Sequence, residues 1–497
     1  MLSLSVKFSQ SSRKIELKPY NGATVECELV KSEQRDRRIV RVLRKYLDME
    51  FKAGELEILK RSDFEALGEL LFELIFYDNN AKNQFQEFYK KSYLSKESYG
   101  HINIYLEFEK DNEFEDLAIL PWEYIYYKPK QNILIGNYPF LAADAEIKFN
   151  FFRKLPYTEF VIKDLNAYDP EKFQLTPPLK ILLILSQPSD KLLMKKGEEV
   201  LESFAHLADK FRDWMEIRFL SQPTENFSEE LRAGKEIEEH FKKFNFTSHD
   251  KDFKPDIIHF IGHGQIKNEN GILLFVKKDE YQPDKYDIQE LKDEDFAKAI
   301  AFAHLEPKLV FLQVCNGGRI IDYINDQGIA IRLLLKKIPF VIAMQNPIEE
   351  DQALKFAEKF YERFLEGDDI GLAVTEGRCL LGYESEYSRK SFGSPVLYTY
   401  VEHPLQLVLK KQGPSDNLQP EKYKVCQNKT CEKHKSNFHF PVEYKICFLC
   451  GSELVTIGER VRATNKIAAL EPDSLSEARS AQPDTTNRPL ASSGSAR

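Results

Sequence analysis

Two residues in this chain have the types, the neighbours and the separation to make a nucleophile and its base. The run Asp256-Ile-Ile-His-Phe-Ile-Gly-His-Gly264 leaves an apolar stretch through a glycine–histidine–glycine turn, and Lys308-Leu-Val-Phe-Leu-Gln-Val-Cys-Asn-Gly-Gly318 leaves another with Cys315 at its tip. A free thiol has a pKa of about 8.5, so it needs a neighbouring base to become a thiolate at neutral pH. His263 would supply that base and later protonate a leaving amine. The backbone N–H groups of Gly264 and Cys315 would be the donors for a tetrahedral oxyanion. Glycines at 262 and 264 are expected to provide unusual backbone angles and close approach of a substrate. Taken singly, a strand-end cysteine reads as a small core residue and a histidine between glycines as a turn residue. Taken together, 52 positions apart and flanked by glycines, they read as a cysteine-dependent acyl-transfer dyad.

A second constellation lies near the C-terminus. Of seven cysteines, Cys27, Cys315 and Cys379 stand alone, while Cys426, Cys431, Cys447 and Cys450 crowd together. Two cysteine knuckles spaced in this way can fold around one tetrahedral zinc, and Gly451 supplies the tight turn after the last. Four thiolates leave no position open to water, so the expected zinc is structural and the dyad needs no cofactor. Lysines 422, 424, 429, 433, 435 and 445 around this cluster make it the one place where a nucleic acid is a candidate partner.

The elements that must position these residues follow from periodicity. Short apolar runs at Lys180–Ser186, Met215–Leu220, Asp256–Ile261, Lys308–Val314 and Pro339–Met344 read as strands. Helical patterns separate most of them, including Glu198–Trp214 and the stripe Ala353, Phe356, Ala357, Phe360, Tyr361 and Phe364. Near-continuous apolar strands between amphipathic helices imply an α/β fold, a sheet with helices on both faces. Sites in such sheets form just beyond the carboxyl ends of strands, where His263 and Cys315 stand. Upstream, Ser62–Tyr77 has helical spacing and Tyr105-Leu-Glu-Phe-Glu109 alternates like a half-buried strand. The expected divisions are an N-terminal α/β region at 1–170, the dyad domain at 178–402, a zinc-ribbon module at 420–458 and a disordered tail at 463–497.

The blocks His259-Phe-Ile-Gly-His-Gly264, Gln313-Val-Cys-Asn-Gly317, Val341-Ile-Ala-Met-Gln345, Phe356-Ala-Glu-Lys-Phe-Tyr361 and Phe392-Gly-Ser-Pro-Val-Leu-Tyr398 occur in the order found in the CHAT branch of the caspase-like cysteine peptidases, which this region resembles. The separation of His263 and Cys315 is close to the roughly 50 positions of caspases. Leu117-Ala-Ile-Leu-Pro-Trp-Glu-Tyr-Ile-Tyr-Tyr127 resembles a segment that precedes the catalytic part in this family, and the resemblance implies a degenerate caspase-like fold for residues 1–170. It also implies that Gln313, two before the nucleophile, lines the substrate pocket, with Ser186 as a second lining residue. A carboxylate is common at the Gln313 position in relatives that cut after basic residues; a neutral amide stands here, and Asn316 also departs from the caspase pattern. The resemblance further implies a peptidase quiet until a partner or signal orders its site, cutting a partner protein such as a pore-forming one in bacterial defence or cell suicide. The alternative is an inactive caspase-like scaffold that serves as a protein-binding module.

Composition narrows the classes. Hydrophobic residues at 42%, charged residues at 30% and 36 Phe describe a folded chain, and 497 residues exceed one ordinary core. A net charge of −9 without long single-sign blocks argues against a broad basic nucleic-acid face. Apolar runs such as Ile181-Leu-Leu-Ile-Leu185 are far too short to span a membrane, and the opening residues do not read as a signal peptide, so a cytoplasmic setting with reduced thiols is expected.

Overall fold

The structure is a computed structural model that describes residues 2–9, 14–19, 25–28, 37–46, 59–77, 79–94, 102–108, 115–128, 140–144, 148–155, 173–186, 197–211, 214–221, 247–248, 253–268, 270–278, 286–315, 317–318, 328–401, 405–407, 423–430, 439–441 and 452–456. The chain forms two units, Met1–Leu409 and Lys410–Arg497.

The first unit is organised by one twelve-stranded sheet. Its strands are β1 (Leu2–Ser9), β2 (Lys14–Pro19), β3 (Val25–Glu28), β4 (Ile102–Phe108), β5 (Phe149–Lys154), β7 (Leu179–Leu185), β8 (Met215–Ser221), β9 (Thr247–Ser248), β10 (Ile257–Ile261), β14 (Leu309–Gln313), β15 (Phe340–Met344) and β16 (Pro395–Thr399). The spatial order is β3-β2-β1-β4-β5-β16-β15-β14-β10-β7-β8-β9. From β15 to β9 neighbouring strands are parallel, as are β1, β4, β5 and β16, and the two sets meet at the antiparallel pair β15–β16. A ribbon of β11 (His263–Lys267), β12 (Asn270–Lys278) and β13 (Tyr286–Lys292) stands apart, as does the small pair β6 (Gln174–Leu175) and β17 (Gln406–Leu407).

The helices are α1 (residues 37–46), α2 (Arg61–Ile75), α3 (Asn79–Leu94), α4 (Glu115–Ala118), α5 (Gly197–Lys210), α6 (Asp293–Phe302), α7 (Ile329–Leu335), α8 (Glu350–Leu365) and α9 (Ile370–Glu384). Alternation along β10 sends successive side chains to opposite faces. On one face His259 stacks on Phe311 at 4.1 Å between centroids and meets Phe204 of α5 and Tyr361 of α8. On the other, Phe260 packs on Phe275 of β12 and Phe296 of α6. The apolar stripe expected on α8 is buried, Phe356, Phe360, Tyr361 and Phe364 at 0% exposure; burying each such side chain contributes roughly 1.5–3 kcal/mol. The expected sheet with helices on both faces is therefore present.

One expectation differs. Residues 105–109 read as a half-buried strand, yet β4 is buried along its length. Its alternating polar residues meet partners on β5 instead of water: the Asn150 and Asn103 carboxamides meet at 2.8 Å, and Lys154 Nζ pairs with Glu107 at 2.9 Å. Alternation alone cannot distinguish a solvated face from a buried paired one.

The second unit contains a three-stranded antiparallel sheet of β18 (Tyr423–Cys426), β19 (His439–Pro441) and β20 (Leu454–Thr456), with β18 in the centre. No helix among the described residues is long and apolar enough to cross a membrane.

Candidate active site

Strands β10 and β14 are parallel neighbours with Ile261 beside Gln313, and both end at that pair. His263 and Cys315 each lie two residues beyond it, so the two leave the sheet side by side. Backbone contacts hold these exits together. The Gly262 N–H donates to the Gln313 carbonyl at 3.4 Å. A Cβ placed on Gly264 would stand 2.9 Å from the Cys315 carbonyl oxygen and 3.4 Å from the Val314 side chain. The backbone of the histidine turn thus touches the backbone of the cysteine turn. The freedom that glycine allows at 262 and 264 is not spent on left-handed angles; among the described glycines only Gly328 and Gly367 have positive φ. Close approach to Cys315 is what excludes a side chain at 264. His263, Gly264 and Cys315 are all half-buried, open enough to meet a second molecule.

His263 opens β11 opposite Leu274 of β12. Ser186 is fully buried and its hydroxyl donates to the Leu274 carbonyl at 2.8 Å, while its N–H donates to the Ile261 carbonyl at 2.9 Å. Its polar atoms hold the strand facing His263. The turn after Cys315 is held as firmly. The Gly317 N–H donates to the Val314 carbonyl at 3.2 Å, the Gly318 N–H to the Met344 carbonyl at 2.8 Å, and Tyr398 Oη to the Gly318 carbonyl at 2.6 Å. Asn316 lies outside the described residues.

Gln313 is buried at the end of β14, and its carboxamide oxygen has no hydrogen-bond partner among the described residues; the same holds for Nε2 of His259. His259 Nδ1 stands 3.2 Å from Tyr361 Oη. Burial raises the Tyr361 phenol, which therefore stays protonated, and the imidazole tautomer sets which of the two groups donates. Burial pushes the His259 imidazole down to about 3, against a smaller opposing effect of Gln313. His259 is thus a neutral core histidine, distinct from the half-exposed His263. Cys379 is distinct from Cys315 in the same way: buried, with its thiol pushed up by burial and by Glu376 and Asp144.

Of the four clustered cysteines, Cys426 is buried at the end of β18, and Asn428 Oδ1 accepts from the Thr430 N–H at 3.0 Å in the turn that follows. Cys431, Cys447 and Cys450 lie outside the described residues.

Periodicity missed a buried polar cluster that ends at Gln345, whose backbone nitrogen lies close to Gly318. Glu123 and Arg153 form a buried pair, Arg153 Nε donating to Glu123 Oε1 at 3.0 Å, and Gln345 at the end of β15 bonds to both. The available signal was a charged residue inside the aromatic run Phe149-Asn-Phe-Phe-Arg153, since a buried charge requires a partner.

Comparison with known proteins sets this geometry in a family. No curated protein matches the chain. Among solved structures, the Arg-specific cysteine proteinase gingipain R is similar at 11% identity and a TM-score of 0.36, over 67% of this chain and 68% of that one. The separase of the Saccharomyces cerevisiae separase–securin complex is similar at 12% identity and a TM-score of 0.42, over 82% of this chain and 30% of that one. The CHAT domain model matches residues 117–400, more than half of the chain, and takes in the Leu117–Tyr127 segment together with both strand exits. The chain belongs to the CHAT-domain family.

Proposed function

We propose that this chain is a cysteine endopeptidase with Cys315 as nucleophile and His263 as general base. The observation that carries the reading is the contact of the Gly264 backbone with the Cys315 carbonyl, at equivalent exits of two parallel strands. In the proposed reaction His263 takes the thiol proton and the Cys315 thiolate attacks a substrate carbonyl carbon. The N–H groups of Gly264 and Cys315 stabilise the oxyanion. The C–N bond then breaks, the amine leaves with the proton from His263, and water hydrolyses the thioester to release a carboxylate and restore the thiol. Gln313 and Ser186 stay as proposed pocket residues, with Ser186 contributing through the strand it holds.

The wider reading rests on the resemblance to CHAT peptidases: a protein substrate, an activating partner and a setting in cytoplasmic bacterial defence. A structural zinc held by Cys426, Cys431, Cys447 and Cys450 is part of it; the knuckle spacing and the turn after Cys426 support that assignment. The test is co-expression with proteins encoded beside its gene. Cleavage of one of them by the wild type and not by Cys315→Ala is the expected result, and cleavage by both would refute the assignment.

A further inference from the structure

The segment Leu117–Tyr127 has no task in the dyad chemistry, yet one of its side chains is tied to the turn that carries Cys315. The tie begins at Gly318. Both backbone polar groups of this residue are bonded, the N–H to β15 and the carbonyl to the Tyr398 hydroxyl of β16. A Cβ there would stand 2.9 Å from the Ala343 carbonyl oxygen and 3.2 Å from the Gln345 nitrogen, so the turn is seated directly on the sheet. Burial, outweighing the nearby guanidinium, pushes the Tyr398 phenol up to about 12 and keeps it a donor.

Tyr398 lies beside Arg153 in the β16–β5 register, and the guanidinium carbon of Arg153 stands 5.7 Å from the phenol ring centre. Glu123 orients that guanidinium. Arg153 Nε donates to Glu123 Oε1 at 3.0 Å, Nη2 donates to Glu123 Oε2 at 2.5 Å and to Gln345 Oε1 at 3.0 Å, and Gln345 Nε2 donates to Glu123 Oε2 at 2.9 Å and to the Gly393 carbonyl at 2.6 Å. Every member of the set is buried. A buried ion pair contributes little stability beyond what apolar residues of the same volume provide, which leaves orientation of its neighbours as the role to assign it.

We infer that Glu123, Arg153 and Tyr398 form a positioning relay that holds the Gly318 carbonyl and, through it, the turn bearing Cys315. This rests on the reading of Cys315 as nucleophile. None of the three touches a substrate; each acts through the next. The acid at the relay's origin lies in the Leu117–Tyr127 segment, inside the matched family span.

The test measures alkylation of Cys315 by iodoacetamide across pH in the full-length protein, resolved by peptide mass spectrometry, so no substrate is needed. Tyr398→Phe keeps the ring and removes only the donor. Glu123→Gln with Arg153→Met removes both charges of the pair together, so neither partner is left unpaired, while the buried Arg378 loses the attraction of Glu123 and the repulsion of Arg153 alike. In each, with an unfolding midpoint near that of the wild type, the rate at pH 7 should fall about tenfold and the pH of half-maximal reactivity should rise, because a displaced thiol loses its base. Combining all three substitutions should be no worse than either variant, as expected for groups acting in series. A merely structural role would leave the pH midpoint unchanged. An activated Cys315 whose rate and pH midpoint survive either variant overturns the relay and leaves the nucleophile standing. A wild-type Cys315 no faster than a free thiol such as glutathione, with rates that neither variant changes, overturns the relay in the resting protein, and the nucleophile is then judged by the cleavage test alone.

Discussion

Acidification should destabilise the first unit through His259, and replacing that residue should remove the effect. The imidazole is fully buried, stacked on Phe311 at 4.1 Å, and its pKa is pushed from 6.5 down to about 3. The native state therefore keeps it neutral at pH values where the unfolded chain binds a proton. Its contribution is intact above pH 6.5 and is lost as pH falls from 6.5 towards 3, because the unfolded state then binds the extra proton. Between pH 7 and 5 the loss is about 2 kcal/mol, the slope reaching about 1.36 kcal/mol per pH unit below 6.5. His259→Phe should retain the stack and abolish this slope. It also leaves the Tyr361 hydroxyl without its hydrogen-bond partner, a cost of about 1–3 kcal/mol that does not vary with pH. The slope, not the absolute stability, is thus the readout. Urea unfolding followed by tryptophan fluorescence suits the question, since the two tryptophans of the sequence, Trp122 and Trp214, both lie in the first unit. Burial raises Asp256 and Asp368, which shift stability the opposite way, but they are common to both proteins and cancel in the difference. Stability curves that run parallel between pH 7 and 5 would show that native His259 binds protons as readily as the unfolded chain, and would refute the reasoning.

Other outcomes follow from the same geometry. His263→Ala should reduce cleavage nearly as much as Cys315→Ala, and the double variant should be hardly worse, because the two act as one unit; additive losses in single-turnover assays would separate them. Gly264→Ala should lower Cys315 reactivity and cost about 1–3 kcal/mol, since its methyl would press on the Cys315 carbonyl; unchanged alkylation kinetics would contradict that contact. Gln313→Asp should shift the residue preferred before the cut towards Lys or Arg while sparing the dyad, as read by peptide-library cleavage. Elemental analysis of purified protein should find one zinc per chain, lost when Cys426 and Cys450 are replaced by Ser; metal-free protein with four reactive thiols would remove the zinc assignment.

Much of the site's setting was legible before any coordinates. The runs at Asp256–Ile261 and Lys308–Val314 are strands within a residue of their expected bounds, and the stripe on α8 is buried as its spacing required. Local signals sufficed there, because periods of 2 and 3.6 are properties of the backbone itself. The buried polar cluster was not legible. Glu123 lies 30 positions from Arg153 and 222 from Gln345, and nothing in a local window pairs residues at those separations. The ribbon β11–β13 was hidden for a related reason: β11 and β13 are mostly polar, and the apolar run Ile272–Val276 of β12 does not reveal which strands flank it, since their order comes from mutual pairing.

The sequence by itself determined the α/β class, the order of strands and helices around the dyad, and which histidine and cysteine stand at strand ends, since each depends on side-chain type and local spacing. The tertiary structure alone decided that β10 and β14 are immediate neighbours in register, because strand order in a sheet is set by how crossover helices pack and not by the strands' own residues. It alone decided that Gly264 must lack a side chain, through a carbonyl contributed 51 residues later. It also gave the choice of histidine its physical ground: four residues apart in one run, His259 packs against Phe311, Phe204 and Tyr361 and is kept neutral by burial, while His263 lies half-buried beyond the strand's end.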